Sequence, residues 1–400
     1  MLPEIGRICL ASPLDRAEER LHYYAREHIY QTQPPKSGEQ RVMDAVKRIL
    51  AEFKPKSWGA DLMAAHVISG LSLEQGELTI SISLPFAGTG WLESMKEECE
   101  PRLRQLEGVQ HIEWQIACDV AAMPRAGNLP AVQGVRNILV VASGKGGVGK
   151  STTAVNLALA LKSEGARVAL LDADIYGPSV PIMTGTQSQR PVSYDGKLME
   201  PVMACGIGCN SIGYLVDEQD ATIWRGPMAS KALSQILHET RWGEVDYLVV
   251  DMPPGTGDIQ LTMAQQVPTS GALIVTTPQD VALADARKGV AMFNKVGVPV
   301  LGVVENMSYH ICSACGHHEP LFGTGGGQKM AEQYGISLLG QLPLHIDIRQ
   351  HMDDGCPIVF RSPDHQLSES YRKLARNVAA ALYFSGKPVA TPLFTRQLDE

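Results

Sequence analysis

The sequence predicts an α/β protein in which a large domain, with a mostly parallel sheet and helices on both faces, follows a smaller α/β domain. Three observations carry this reading. From about residue 136 onward, short apolar runs alternate with segments of helical periodicity, the mark of a parallel sheet wrapped by helices. Residues 37–120 hold a compact mixture of the same two patterns, set off by a stretch rich in proline and glycine. A glycine-rich turn joins the first apolar run of the larger block to its first helical segment, which makes that block a P-loop NTPase domain.

The turn is Gly144-Lys145-Gly146-Gly147-Val148-Gly149-Lys150-Ser151-Thr152. Residues 138–142 ahead of it read as a buried strand, and residues 153–162 behind it carry alanines and leucines at helical spacing. Glycines let successive N–H groups converge on an anion, and a helix N-terminus adds its dipole. The spacing G-x-x-x-x-G-K-[ST] is matched in full. It makes the loop a phosphate cradle, with Lys150 reaching the β- and γ-phosphates of a nucleotide and Ser151 holding Mg²⁺.

Lys145 stands too early in the loop to share the task of Lys150, so it points elsewhere. The pattern G-K-G-G-V-G-K-[ST] resembles the deviant Walker A loop of the partition ATPases, septum-placing ATPases and nitrogenase iron protein. That resemblance implies a homodimer in which Lys145 reaches the phosphates of the facing subunit, in the manner of an arginine finger.

Composition narrows the class. The chain has 400 residues, a net charge of −8 and 44% hydrophobic residues, which suits two or three globular domains with a substantial core. The acidic balance speaks against nucleic acid as a partner. No apolar run approaches a membrane span, and the first residues lack a basic start followed by an apolar block. Eight cysteines in a chain of this length are not a disulfide framework, so a thiol-reducing cytoplasmic setting is expected.

In chain order, residues 1–36 read as a polar N-terminal extension. Within 37–120, Val42, Ala45, Val46, Ile49 and Leu50 form one face of a helix. Residues 78–84 alternate as a half-buried strand, residues 92–106 read as a second helix and residues 108–116 as another strand. This element order, with Gly108-Val109-Gln110-His111-Ile112-Glu113-Trp114, resembles the small α/β domain of iron–sulfur assembly proteins. The loop before the second helix, residues 85–91, has no cysteine where that family commonly has one. Cys99 and Cys118 read as small buried hydrophobes. Residues 121–135 read as a linker, 136–385 as the P-loop domain and 386–400 as a tail.

Further strands are expected at 167–171, 247–250, 273–276 and 300–304, and helices at 281–296, 328–334 and 366–383. In open α/β sheets the ligand lies beyond the carboxyl ends of the strands. Asp251, after four apolar residues, is the Walker B carboxylate candidate for Mg²⁺, directly or through water. Pro253-Pro254-Gly255-Thr256-Gly257-Asp258 follows as a switch-like loop. In Asp172-Ala173-Asp174-Ile175-Tyr176-Gly177-Pro178-Ser179, the resemblance to the first switch of the deviant Walker A family implies that Asp174 orients the attacking water, leaving Asp172 a structural part. The resemblance likewise implies that Asn306, expected just past its strand, hydrogen-bonds adenine.

Cys312-Ser313-Ala314-Cys315-Gly316 can form a knuckle whose two thiolates converge on one metal, while tetrahedral zinc and a [4Fe–4S] cluster usually take four ligands. The second half could come from Cys205 and Cys209, or from the same loop of a second subunit across a two-fold axis. Three readings stand here: a redox dithiol, a zinc knuckle completed by His317 or His318, and a cluster shared across a dimer. The dithiol reading favours a helix starting at the first cysteine, and His317-His318-Glu319-Pro320 does not have that character.

The motifs at 172–179, Trp224-Arg225-Gly226-Pro227-Met228, 251–258, Asn306-Met307-Ser308 and 312–316 resemble, in this order, the Mrp-type iron–sulfur cluster carriers over residues 125–385. The resemblance implies a homodimeric, slow ATPase whose Cys312 and Cys315 pairs hold a cluster, of the 4Fe-4S type, for delivery to apo iron–sulfur proteins alongside other assembly proteins. It leaves Cys205 and Cys209 structural. A partition- or septum-type positioning ATPase and a zinc-stapled, nucleotide-ordered scaffold are the alternatives. The tail lacks the basic amphipathic helix of septum-type members.

Overall fold

The computed structural model describes residues 37–55, 57–127, 129–215 and 226–389. The expected N-terminal extension, Trp224 and Arg225 of the 224–228 motif and residues 390–400 of the tail lie outside the described residues.

The smaller unit begins with α1 (Ser37–Glu52), whose Val46, Ile49 and Leu50 are buried. Strands β1 (Ile68–Glu74) and β2 (Glu77–Leu84) form an antiparallel hairpin through a two-residue turn at Gln75 and Gly76. Alternation in β2 buries Leu78, Ile80, Ile82 and Leu84 against the helices. Helix α2 (Trp91–Leu103) crosses over to β3 (His111–Cys118), which pairs with β2 in parallel from Glu77↔His111 to Leu84↔Cys118.

The larger unit runs β4 (Val135–Ala142), α3 (Lys150–Ser163), β5 (Val168–Asp172), α4 (Val180–Met183), β6 (Val202–Ala204), β7 (Ile207–Ser211), α5 (Gly226–His238), β8 (Val245–Asp251) and α6 (Asp258–Gln266). It continues with β9 (Gly271–Thr276), α7 (Asp280–Lys295), β10 (Val300–Ile311), β11 (His318–Glu319), α8 (Gly326–Tyr334), β12 (Ser337–Leu344), α9 (Ile346–Asp353), α10 (Ile358–Arg361) and α11 (Gln366–Phe384). The sheet order is β11-β10-β9-β4-β8-β5-β7-β6, with β12 also on β10. Among the described strands of this sheet, the β6–β7 and β10–β11 pairings are antiparallel and the others parallel. Strands β5, β8 and β9 are buried at every position, as a sheet covered on both faces requires.

The two sheets share one hydrophobic cluster. Trp58 of the smaller unit meets Phe86 and Trp91 edge to face, and Trp58 and Phe86 also pack against Phe384 at the end of α11. Glu164, the residue after α3, accepts a hydrogen bond from Gly90 N–H at 2.7 Å and pairs with Arg376 of α11 at 2.7 Å. The stretch expected as a linker is pinned rather than free: Ala121 N–H donates to Pro85 O, Met123 N–H to Asn137 Oδ1 and Ala126 N–H to Thr269 O.

One expectation changes and one strand is new. The strand expected at 300–304 extends to Ile311, so Asn306 lies inside it rather than beyond it. Strand β12 was hidden by Gly340 and Pro343, and it tolerates the proline because its described sheet partner is β10 alone.

Candidate functional site

The phosphate loop sits where the topology puts it, between the carboxyl end of β4 and the start of α3. Gly149 caps α3 with φ +80°, and a Cβ built there would lie 2.2 Å from Asn306 Nδ2. At Gly144 a Cβ would lie 2.2 Å from the backbone of Asp285. Glycine is therefore required at Gly149 by conformation and at both positions by space. The loop walls a cleft of about 210 Å³ with Ser143, Lys145, Ser151, Asp174, Ser179 and Pro254.

Lys150 is buried, and its Nζ lies 2.5 Å from Asp251 Oδ1, 3.2 Å from Ser151 Oγ and 3.5 Å from Asp174 Oδ2. Burial works against its charge, but Asp251, Asp174 and Asp172 outweigh it and raise its pKa. Asp172 and Asp251 face each other across adjacent strand ends. Burial, and then the charge of Asp251, push the Asp172 pKa up. Its oxygens are spent on Asp174 N–H, Val180 N–H and Ser211 Oγ, so Asp172 holds the segment from Asp174 to Val180 in shape. Asp174 is nearly buried, its pKa also raised by burial, and Lys150 works against that shift.

Asp251 Oδ2 is buried with no hydrogen-bond partner. An orphaned carboxylate oxygen on Asp251, with the Ser151 hydroxyl and the Asp174 carboxylate around the same Lys150 ammonium, is a donor set that fits a hard divalent cation such as Mg²⁺. Lys145 lines the cleft, half-buried, while its carbonyl accepts from Ser143 Oγ at 2.9 Å. Gly255 N–H donates to Ser143 O at 2.9 Å, which seats the expected switch loop on the phosphate loop.

Asn306 also reaches the phosphate loop, its Nδ2 donating to Val148 O at 2.9 Å. Six residues on, just past the end of the same strand, stands Cys312. Strand β10 pairs with β9 only as far as Glu305 and then extends past it by at most about 20 Å. Cys312, half-buried, and Cys315, exposed, occupy the turn between β10 and β11. Cys312 N–H donates to His317 O and Gly316 N–H to Cys312 O, closing the knuckle. The backbone N–H of Ala314, then that of Cys315 and the Cys315 thiol, lower the Cys312 pKa.

The other thiols behave differently. Burial pushes Cys99 and Cys205 up to about 11 and Cys118 to about 12, and it raises Cys209 further. Cys205 and Cys209 lie on β6–β7, five strand spacings or roughly 24 Å from β10, so they do not complete the Cys312/Cys315 pair within one chain. His318 stacks on Tyr309 at 5.0 Å, and among the described residues no third His, Cys, Asp or Glu joins the cysteine pair in a metal-binding group.

Sequence reasoning overlooked Glu305. It is fully buried in β10 and accepts from Ser308 Oγ, Gly327 N–H and Gln341 Nε2. An acid adjoining the Asn306-Met307-Ser308 motif was the available signal.

A phosphate loop with paired acids at the carboxyl ends of a mostly parallel sheet defines a P-loop NTPase. A family model described as NUBPL iron-transfer P-loop NTPase matches residues 134–379, and one described as iron-sulfur cluster assembly protein matches residues 42–114. The iron-sulfur cluster carrier protein of Escherichia coli (strain K12) is 53% identical over 85% of this chain and 92% of its own length. The iron-sulfur cluster transfer protein NUBPL of Mus musculus is 50% identical over 63% of this chain and 79% of its own length. Among solved structures, a nucleotide-binding protein from Archaeoglobus fulgidus in complex with ADP is 36% identical, with a TM-score of 0.50 over 56% of this chain and 87% of that one. The chain belongs to the iron–sulfur cluster carrier family of P-loop NTPases.

Proposed function

We propose that this chain carries a [4Fe–4S] cluster to apo iron–sulfur proteins as a homodimer, using ATP binding and slow hydrolysis. The observation that carries the reading is the Cys312/Cys315 pair, in the turn that follows the strand whose inner part touches the phosphate loop, with no third ligand gathered beside it among the described residues. A pair is half of the usual four-ligand set, and a two-fold axis supplies the other half.

Within each subunit the glycine loop binds the phosphates, and Lys150 leaves Asp251 and Asp174 to meet them. Ser151 and Asp251 would hold Mg²⁺, which would supply charge neutralisation for the phosphates when bound. Asp174 orients the attacking water. Lys145 stabilises charge on the partner's phosphates. Asn306 is the adenine-side contact. Other assembly proteins that load the cluster are the expected second class of partner.

The test is anaerobic reconstitution with ferrous iron and sulfide, scored as metal and sulfide per chain and by sedimentation. Cys312→Ala and Cys315→Ala should bind little of either. Wild-type levels in both variants, or a monomer holding a complete cluster, would overturn the reading.

A further inference from the structure

We infer that Glu305 is a positioning residue that links the phosphate loop to the cysteine hairpin by clamping both ends of the excursion formed by residues 309–326. This rests on the proposed reading, in which ATP binding serves cluster carriage.

The clamp is built from neutral donors around one fully buried carboxylate. Oε1 accepts from Ser308 Oγ at 2.6 Å and from Gln341 Nε2 at 2.8 Å, and Oε2 accepts from Gly327 N–H at 2.5 Å. Gln341 Nε2 also donates to Ser308 Oγ at 3.0 Å, so the three side chains form a closed triangle. Ser308 lies just before the excursion and Gly327 just after it. One carboxylate therefore ties together the strand that leaves for the cysteines and the helix to which the chain returns.

Between those ends the strand is irregular. Glu305 pairs with Gln341 and Tyr309 with Pro343, so four steps on β10 match two on β12. Met307, inside this bulge, has φ +54°, a conformation an unbranched side chain adopts only when its surroundings impose it. Asn306, in the same bulge, makes the contact with Val148 O of the phosphate loop. Any shift of the loop on binding phosphate is thus delivered to a strained segment whose anchor is Glu305. Gly327 belongs to the device: a Cβ there would lie 2.9 Å from Glu305 Oε2, closer than real Cβ contacts come.

The burial also argues for more than packing. A fully buried carboxylate with only neutral partners is a costly way to fill space. It is suited to accepting several donors at once, which a glutamine cannot do, because its amide would turn a donor toward Gly327 N–H or Gln341 Nε2.

The experiment uses the full chain without cluster and reads the alkylation rate of Cys312 and Cys315 by iodoacetamide, with and without Mg-ATP. In the wild type, Mg-ATP should change the rate by about fivefold or more, the lower end of typical coupling between sites. Glu305→Gln should reduce that change to less than about twofold while ATP affinity stays within about threefold. Gly327→Ala, which displaces the carboxylate without removing it, should do the same and covers the case in which Glu305→Gln fails to fold. A nucleotide effect of wild-type size in either folded variant overturns the proposal, as does its absence in the wild type. Iron and sulfide binding, scored separately, tests the carrier reading, so a failure of that reading is told apart from a failure of the clamp.

Discussion

Replacing Arg376 by alanine should destabilise the chain through a residue far from the phosphate loop in sequence. Arg376 pairs with Glu164, whose side chain is 2% exposed, at 2.7 Å, with Glu369 at 2.5 Å, and its guanidinium lies 5.6 Å from the Trp91 ring centroid. Breaking a buried pair from one side costs about 3–5 kcal/mol. Gly90 N–H still serves one Glu164 oxygen, so the lower figure, about 3 kcal/mol, applies. With m near 3 kcal/mol/M the urea midpoint should fall by about 1 M. Trp58 and Trp91 at the junction make tryptophan fluorescence a direct reporter.

The loss should depend on pH in a stated sense. Burial raises the Glu164 pKa even with Arg376 beside it, so the folded chain binds that proton more tightly than the unfolded chain, whose value is near 4.5. The ionised form is the costly one. Without Arg376 the pKa rises further, so the deficit is full at neutral pH and shrinks as pH falls through the raised folded value toward 4.5. The double variant Glu164→Gln/Arg376→Leu, which leaves no buried charge, should recover most of the loss. A midpoint shift under about 0.2 M, or one equal at neutral and mildly acid pH, would refute the account.

Lys145→Ala should retain ATP binding and lose most hydrolysis, read as phosphate release against nucleotide affinity; unchanged turnover removes the trans-acting lysine. Gly149→Ala forces a non-glycine residue to φ +80° and drives a methyl into Asn306 Nδ2. That strain, about 1–2 kcal/mol before any clash, should weaken ATP binding by roughly tenfold or more in a calorimetric titration. Asp251→Asn should abolish the Mg²⁺ dependence of nucleotide affinity; an unaltered magnesium titration would show that Oδ2 is not the open ligand position.

The phosphate loop, the acids at the strand ends and the cysteine knuckle were legible because each is a local pattern whose spacing encodes its geometry. The central strands were legible too, since burial on both faces leaves an unbroken apolar run. What escaped notice depends on distant partners. Strand β1 carries Gly70 and serines that blur its alternation. Strand β12 carries Gly340 and Pro343. The partners of Glu305 stand at 308, 327 and 341, and only the fold brings them together. The Glu164–Arg376 pair joins residues that only the packing of α11 onto α3 makes neighbours. The extent of β10 was missed because its outer half leaves β9 and borrows β12 and β11 as partners.

The aromatic junction has a consequence for synthesis on the ribosome. Trp58 and Phe86 emerge early, yet the ring that covers them, Phe384, is translated roughly 300 residues later. At about 5–20 residues per second, that interval lasts some 15–60 s. Through it the nascent amino-terminal unit displays an uncovered aromatic surface, a natural target for chaperones. Stop codons that remove the last turn of α11 should therefore yield chains prone to aggregation even though every nucleotide-contacting residue has been made.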